Sequence, residues 1–364
     1  LRILFKRGQE YPRGEVQRLR ITGAGEYLNF VGTWGAGAKP IIHGLDTLPV
    51  FEIFNAVHAT DFLTFDNIDF RGDWDSIGET GVATYSPFQF WSNDKDVHFT
   101  VSRCDFSGFS LIHGTPGETA SFIGFADCVV TNWQDMGIFY QDGPSAFVAK
   151  IGCRLQQHVD AGNGPPNGEG KNGFYNQHGC MRYGDIDHFY VACCDMFSRN
   201  GWFDKTDQPC MRMATNGLGD DSFIIDRVVC EGGSDPITIS CNTGTPPVEP
   251  GNYLIDRALL LGTAMTFRSF VYAEYGGLTV RNTIGIIPDV PGYKPNTFNG
   301  SVYMTGELSG INENAPVQVY GNTFLNLQGA ANDPGHVWVD FTDAEGFNNK
   351  TVENNVAHGP SPVS

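Results

Sequence analysis

The chain is 364 residues long, 41% hydrophobic and 13% aromatic, with only 18% charged residues, a composition that excludes a disordered polymer. Its 45 Gly and 20 Pro follow no three-residue period, which excludes collagen and favours a β protein rich in turns. Lys and Arg number 23 against 41 Asp and Glu, a formal charge of −18. Bulk electrostatics therefore exclude nucleic acid as a partner, and an anionic substrate would need a local basic pocket set against the global sign.

The first residues, Leu1 to Phe5, already read as a strand. The chain is thus expected to begin inside a fold, as a mature or N-terminally truncated product without a signal peptide. No apolar run approaches the ~20 residues that span a bilayer, so no membrane partner is expected. Helical spacing of apolar residues is scarce, whereas short strand-like runs bounded by Gly, Asn, Asp and Pro occur throughout.

One hexad recurs along the chain, with the form apolar-x-x-(small, Cys or Asn)-x-apolar. It starts at Phe65, Val101, Phe125, Lys150, Val191, Ile225, Ile255, Val280, Val319 and Val352. The copy at Lys150 is imperfect, with a cation where an apolar residue belongs. The fourth positions form a ladder: Ile68, Cys104, Cys128, Cys153, Cys194, Val228, Ala258, Thr283, Asn322 and Asn355, with steps of 24 to 41 residues. A second strand-like run follows each copy but the last, near positions 88, 111, 138, 174, 211, 237, 270, 301 and 337. A minimal turn of about two dozen residues, holding two or three short strands, predicts a right-handed parallel β-helix of about ten coils. No coil can bury its apolar face alone, so the core exists only by stacking. The expected organisation is one domain over residues 1–364, with loops inserted near 71–87, 160–173, 198–209 and 286–300.

Nine cysteines leave at least one unpaired, and no CxxC spacing supports a zinc ribbon. Cys104, Cys128, Cys153 and Cys194 share one ladder position. Parallel inward side chains rarely reach disulfide torsions, so they read as buried reduced thiols. Asn322 and Asn355 would continue the column as an amide ladder. Pairing among Cys180, Cys210 and Cys241 is open.

The opening "ILFKRGQEY" and the later "GTWGAGAKPIIHG" resemble the first coils of the pectate-lyase-like β-helix superfamily. That resemblance implies the same solenoid and, with it, a carbohydrate-active enzyme. Residues 160–221 combine the longest Gly/Pro/Asn insertion with cations and aromatics. A lyase needs a base for the proton α to a uronate carboxylate and a cation to neutralise that carboxylate. His178, Lys205 or Tyr183 could be the base, and Arg212 the neutraliser. Arg212 alternates with Met211 and Met213, so it points outward if they point inward. Trp202, Trp133, Lys171 and Arg182 would bind the sugar. A hydrolase would instead use two carboxylates. Asp220 and Asp221 in "GDDSF" resemble the paired aspartates of the polygalacturonase family, whose "GHG" and "RIK" landmarks do not appear here in order.

No cofactor is required by either chemistry. Ca²⁺ is the metal that the acidic segment Asp69, Asp73, Asp75 and Glu79 could take, although it lacks an EF-hand pattern. The leading expectation is a secreted or cell-surface enzyme that cleaves an acidic polysaccharide by β-elimination. The second is a non-catalytic β-helix, either an adhesin or a virion spike. A spike would be trimeric, and monomer and trimer both stay open.

Overall fold

The computed structural model describes residues 2–11, 17–21, 28–44, 49–55, 61–73, 86–92, 97–109, 112–114, 120–131, 133, 139–141, 145–156, 180–183, 186–197, 210–215, 222–232, 235–241, 251–262, 267–274, 277–289, 300–305, 316–327, 339–343 and 349–359. Every described element is a strand, and the strands form three parallel sheets of 12, 12 and 11 members. We call them A, B and C in the order the chain visits them. Each coil runs A, B, C and then rises one rung, so consecutive coils pair in all three sheets. This is a right-handed parallel β-helix. Sheet A begins with Arg2–Lys6 (coil 1), Leu28–Trp34 (coil 2) and Asp61–Asp66 (coil 3), and it ends with Lys350–Glu353 (coil 12).

Twelve coils are two more than the ten hexads. The first two turn the corner from sheet A on Gly8 and Gly35, both at positive φ, without the hexad pattern. In the other ten coils the third hexad residue is left-handed: Asn67, Arg103, Asp127, Gly152, Cys193, Arg227, Arg257, Asn282, Gly321 and Asn354. One left-handed residue lets the chain turn sharply from sheet A to sheet B while both stay in register with their neighbours. In a non-glycine residue it costs about 1–2 kcal/mol. Side-chain bonds offset part of this. Arg103 donates to Asp66 through Nη2 at 2.6 Å and Nε at 2.9 Å, and Arg227 and Arg257 both grip Asp226 at 2.9 and 2.7 Å. Arg281 and Asn282 hold Asp256 at 3.1 and 2.9 Å.

The fourth hexad residue points inward beside this turn, and its chemistry explains the choice of Cys, Thr and Asn. The thiols of Cys104, Cys128, Cys153 and Cys194 each donate to the carbonyl two residues earlier, at 3.3 to 3.6 Å. Thr283 does the same at 3.0 Å. Asn322 and Asn355 reach one coil further, donating from Nδ2 to the carbonyls of Val280 and Val319 at 2.9 and 2.8 Å. Their Oδ1 atoms accept from the backbone N–H of Thr283 and Asn322 at 2.9 and 3.0 Å. The thiol column and the amide ladder are thus one device, which satisfies buried carbonyls at a corner where the sheet ladder is interrupted.

Phenylalanines fill the N-terminal half of the core. Phe65 and Phe88 have ring centroids 4.6 Å apart, and Phe70 stacks on Phe106 at 5.1 Å. Aliphatic, Met and Cys side chains dominate later coils. The insertions expected at 160–173 and 198–209 lie outside the described residues, as do 74–85 and 290–299. The strand expected near 174 lies there too. The sheet C strand of that coil is Met181–Tyr183, because Met181 stacks under Met211.

Candidate functional site

Sheet C carries the described part of the expected site. Met211 and Met213 are buried and Arg212 between them is half-exposed, so the period-2 alternation places Arg212 outward as expected. The register aligns further backbone positions with Arg212: Tyr140, Arg182, Arg212, Thr238, Tyr272, Tyr303 and Asp340 pair in succession from coil 5 to coil 11. Adjacent rungs lie about 4.8 Å apart. Two arginines therefore sit on neighbouring rungs, with tyrosine positions beyond them at both ends.

Arg212 donates from Nε to Ser240 Oγ at 3.3 Å, which carries its guanidinium one coil towards Tyr272. Thr238 lies between Arg212 and Tyr272 in register, only 6% exposed, and its Oγ1 has no protein hydrogen-bond partner. Tyr272 donates from its hydroxyl to Glu274 Oε1 at 3.1 Å, and its ring lies 5.7 Å from that of Tyr303. The Arg268 guanidinium carbon is 5.8 Å from the Tyr272 ring centroid. Arg268 is fixed in turn by the wholly buried Asp235, which accepts from Arg268 Nη2 and from Ser269 Oγ, each at 2.6 Å. Buried polar contacts of this kind hold a surface cation in one place without a flexible loop.

Other expected residues fall differently. Lys171, His178, Trp202, Lys205, Asp220 and Asp221 lie outside the described residues. Tyr183 pairs with the buried Met213, one position off the row that holds Arg182 and Arg212. Trp133 corrects an expectation: it is 1% exposed and belongs to the core, so it has no free face for a sugar ring. Cys180 and Cys210 are buried free thiols on adjacent rungs and form no disulfide, while the Cys241 side chain is outside the description. In the acidic segment, Asp69 accepts from Arg71 Nε at 3.1 Å and Nη2 at 2.8 Å. Asp75 and Glu79 are outside the described residues, and no group of three potential metal ligands occurs among those described.

Sequence reasoning missed Thr238, Tyr272, Glu274 and Tyr303. The signal was present in the alternation of Val271 to Glu274, where buried Val271 and Ala273 flank Tyr272. It was also present in the repeated Cys-Met-Arg at 180–182 and 210–212, which sets the two arginines in one row.

Sheet A has a second ordered surface. Phe62, His98, Phe122, Phe147 and His188 follow one another from coil 3 to coil 7, with ring centroids 4.6 to 6.4 Å apart. This stack covers one side of the sheet.

The fold is a parallel β-helix in which sheet C sets the positions of Arg182 and Arg212 in register on neighbouring rungs. No family model, curated protein or solved structure matches the chain.

Proposed function

We propose that the chain is a β-helix enzyme of the pectate-lyase-like kind, which binds an acidic polysaccharide along the outer face of sheet C and cleaves it by β-elimination. The observation that carries this reading is the register pairing of Arg182 with Arg212, flanked by tyrosine positions, on a protein of formal charge −18. Guanidinium geometry is suited to bidentate contact with a carboxylate, and a uronate carboxylate laid across the two neighbouring rungs would take that contact. Neutralising the carboxylate acidifies the adjacent C–H, the step a lyase must assist. Arg212 has the role of neutraliser and Arg182 that of substrate clamp.

The test is incubation of the protein with a panel of uronate-containing glycans while ultraviolet absorbance of the unsaturated uronate is followed. Appearance of that chromophore supports the reading. New reducing ends without the chromophore would replace elimination by hydrolysis. Binding with neither signal would leave an adhesin-type β-helix.

A further inference from the structure

We infer that Tyr272, backed by Glu274, is the base of the sheet C face and acts on a sugar whose carboxylate is held by Arg212. This rests on the lyase reading and adds to it a base that lies within the rigid sheet.

Three observations converge. First, Arg212 and Tyr272 stand in register two coils apart, and the bond from Arg212 to Ser240 leans the guanidinium across the intervening coil. Two rungs separate the two backbone positions, ~10 Å, a gap that a sugar carboxylate held on Arg212 and its α carbon can span to reach the Tyr272 side chain. Second, the Tyr272 hydroxyl already donates to Glu274 Oε1 at 3.1 Å, so its proton has a defined acceptor, while Arg268 fixes a positive charge beside the ring. Third, Thr238 lies between the two with a buried hydroxyl that no protein group satisfies. Such a group costs about 1–3 kcal/mol when unmet. A polar group of a ligand bedded between Arg212 and Tyr272 would meet it.

The step balances without any co-reactant. Tyr272 passes its hydroxyl proton to Glu274 and takes the α proton of the uronate. The electron pair of the broken C–H bond becomes the new C=C bond. The C–O bond to the leaving sugar breaks, and the departing oxygen keeps that pair. It then recovers one proton from Glu274 through Tyr272. The products are an unsaturated uronate end and a free hydroxyl on the released sugar, with no water consumed and nothing oxidised. Tyr272 is the catalytic residue, and Glu274 is a positioning residue that acts through it.

The experiment uses the full chain and whichever glycan the wild-type protein cleaves. Tyr272→Phe removes one oxygen from a half-buried ring and should leave the melting temperature in place. It is expected to lower kcat at least about 100-fold, the scale of general base catalysis, with glycan affinity within about twofold of wild type. Glu274→Gln should displace the pH–rate profile to higher pH, and Glu274→Asp should restore it in part. A purely structural glutamate would lower the rate equally at every pH. Thr238→Val, isosteric and without the hydroxyl, should raise KM without lowering the melting temperature. If the wild type cleaves and Tyr272→Phe keeps its turnover within about threefold, the base lies elsewhere and this inference falls while the lyase reading stands. If the wild type forms no unsaturated product on any acidic glycan, both fall together.

Discussion

Lys150 occupies a core position. It pairs with Phe125 below and Val191 above on the inward side of sheet A, is wholly buried, and sets Nζ 3.4 Å from the Phe125 ring centroid. Burial holds its pKa well below the ordinary 10.5, although the nearby thiols of Cys153, Cys128 and Cys194 pull the other way. The folded state therefore binds this proton less readily than the unfolded chain. The stability it allows is complete above the unfolded pKa of about 10.4 and is lost as pH falls towards the folded value. Lys150→Met should accordingly melt higher at neutral pH, on the order of a few degrees, with the gap closing as pH rises towards ~10. Thermal melts of the two proteins across that range check it, and a constant gap would show that the amine keeps its charge inside the core. The thiols make a second case. Burial pushes Cys104 up to about 12 and raises Cys128, Cys180 and Cys230, whereas Cys193 at the neighbouring corner position is exposed. Since thiolate is the reactive form, a thiol reagent on the native protein should lose one fast-reacting equivalent in Cys193→Ser. Unchanged labelling would contradict the exposure of that side chain.

At the scale of elements, the corner between sheets A and B does most to set the shape of the coil. It needs a left-handed residue followed by an inward donor, and the two requirements explain each other: the turn exposes a carbonyl to the core, and the next side chain satisfies it. Asn322→Ala would remove the side-chain donor to the Val280 carbonyl and the side-chain acceptor of the Thr283 N–H inside the rod. The expected loss is on the order of 1–3 kcal/mol for each buried group left unmet. Denaturant titration measures it, and a loss well under 1 kcal/mol would mean that the ladder contributes order but little stability. A different constraint applies where coils 9 and 10 meet. Gly277 has φ +86, and a Cβ there would overlap the carbonyl oxygen of Gly251. Backbone faces backbone, so no rotamer relieves the overlap. Gly277→Ala should cost on the order of 3 kcal/mol or more, read by the same titration.

For the whole molecule, the charge of −18 and the arginine row work against each other at different ranges. If the proposed reading holds, long-range repulsion slows the approach of a polyanion, whereas contact with Arg182 and Arg212 would hold it. Salt screens the first before the second, since the Debye length is already about 8 Å near 0.15 M. The association rate with an acidic glycan should therefore rise as salt increases from low ionic strength to about that value, while the rate with a neutral glycan stays flat. Stopped-flow binding at several salt concentrations tests this, and a monotonic fall from the lowest salt would place the glycan on a surface that is basic over a wide area.

The hexad ladder made the solenoid legible because every coil repeats the same local problem. A left-handed turn, a buried donor and two flanking apolar residues are all specified within six consecutive positions. Arg212 was legible as outward for the same reason, from its place between two methionines. The composition of the site was less so. Trp133 reads like Trp202 in sequence, and only the packing shows that it lies in the core. Tyr183 follows Arg182 directly, and only the register shows that it shares the row of Met213.

Local pattern by itself determined that this polypeptide winds and where the corner of each hexad falls. Tertiary structure alone decided which outward residues meet. Arg212, Thr238 and Tyr272 lie 26 and 34 residues apart in sequence and come together because stacking converts those unequal intervals into equal rungs. Loop lengths vary the count of residues per coil, so distance along the chain carries no record of distance across the sheet.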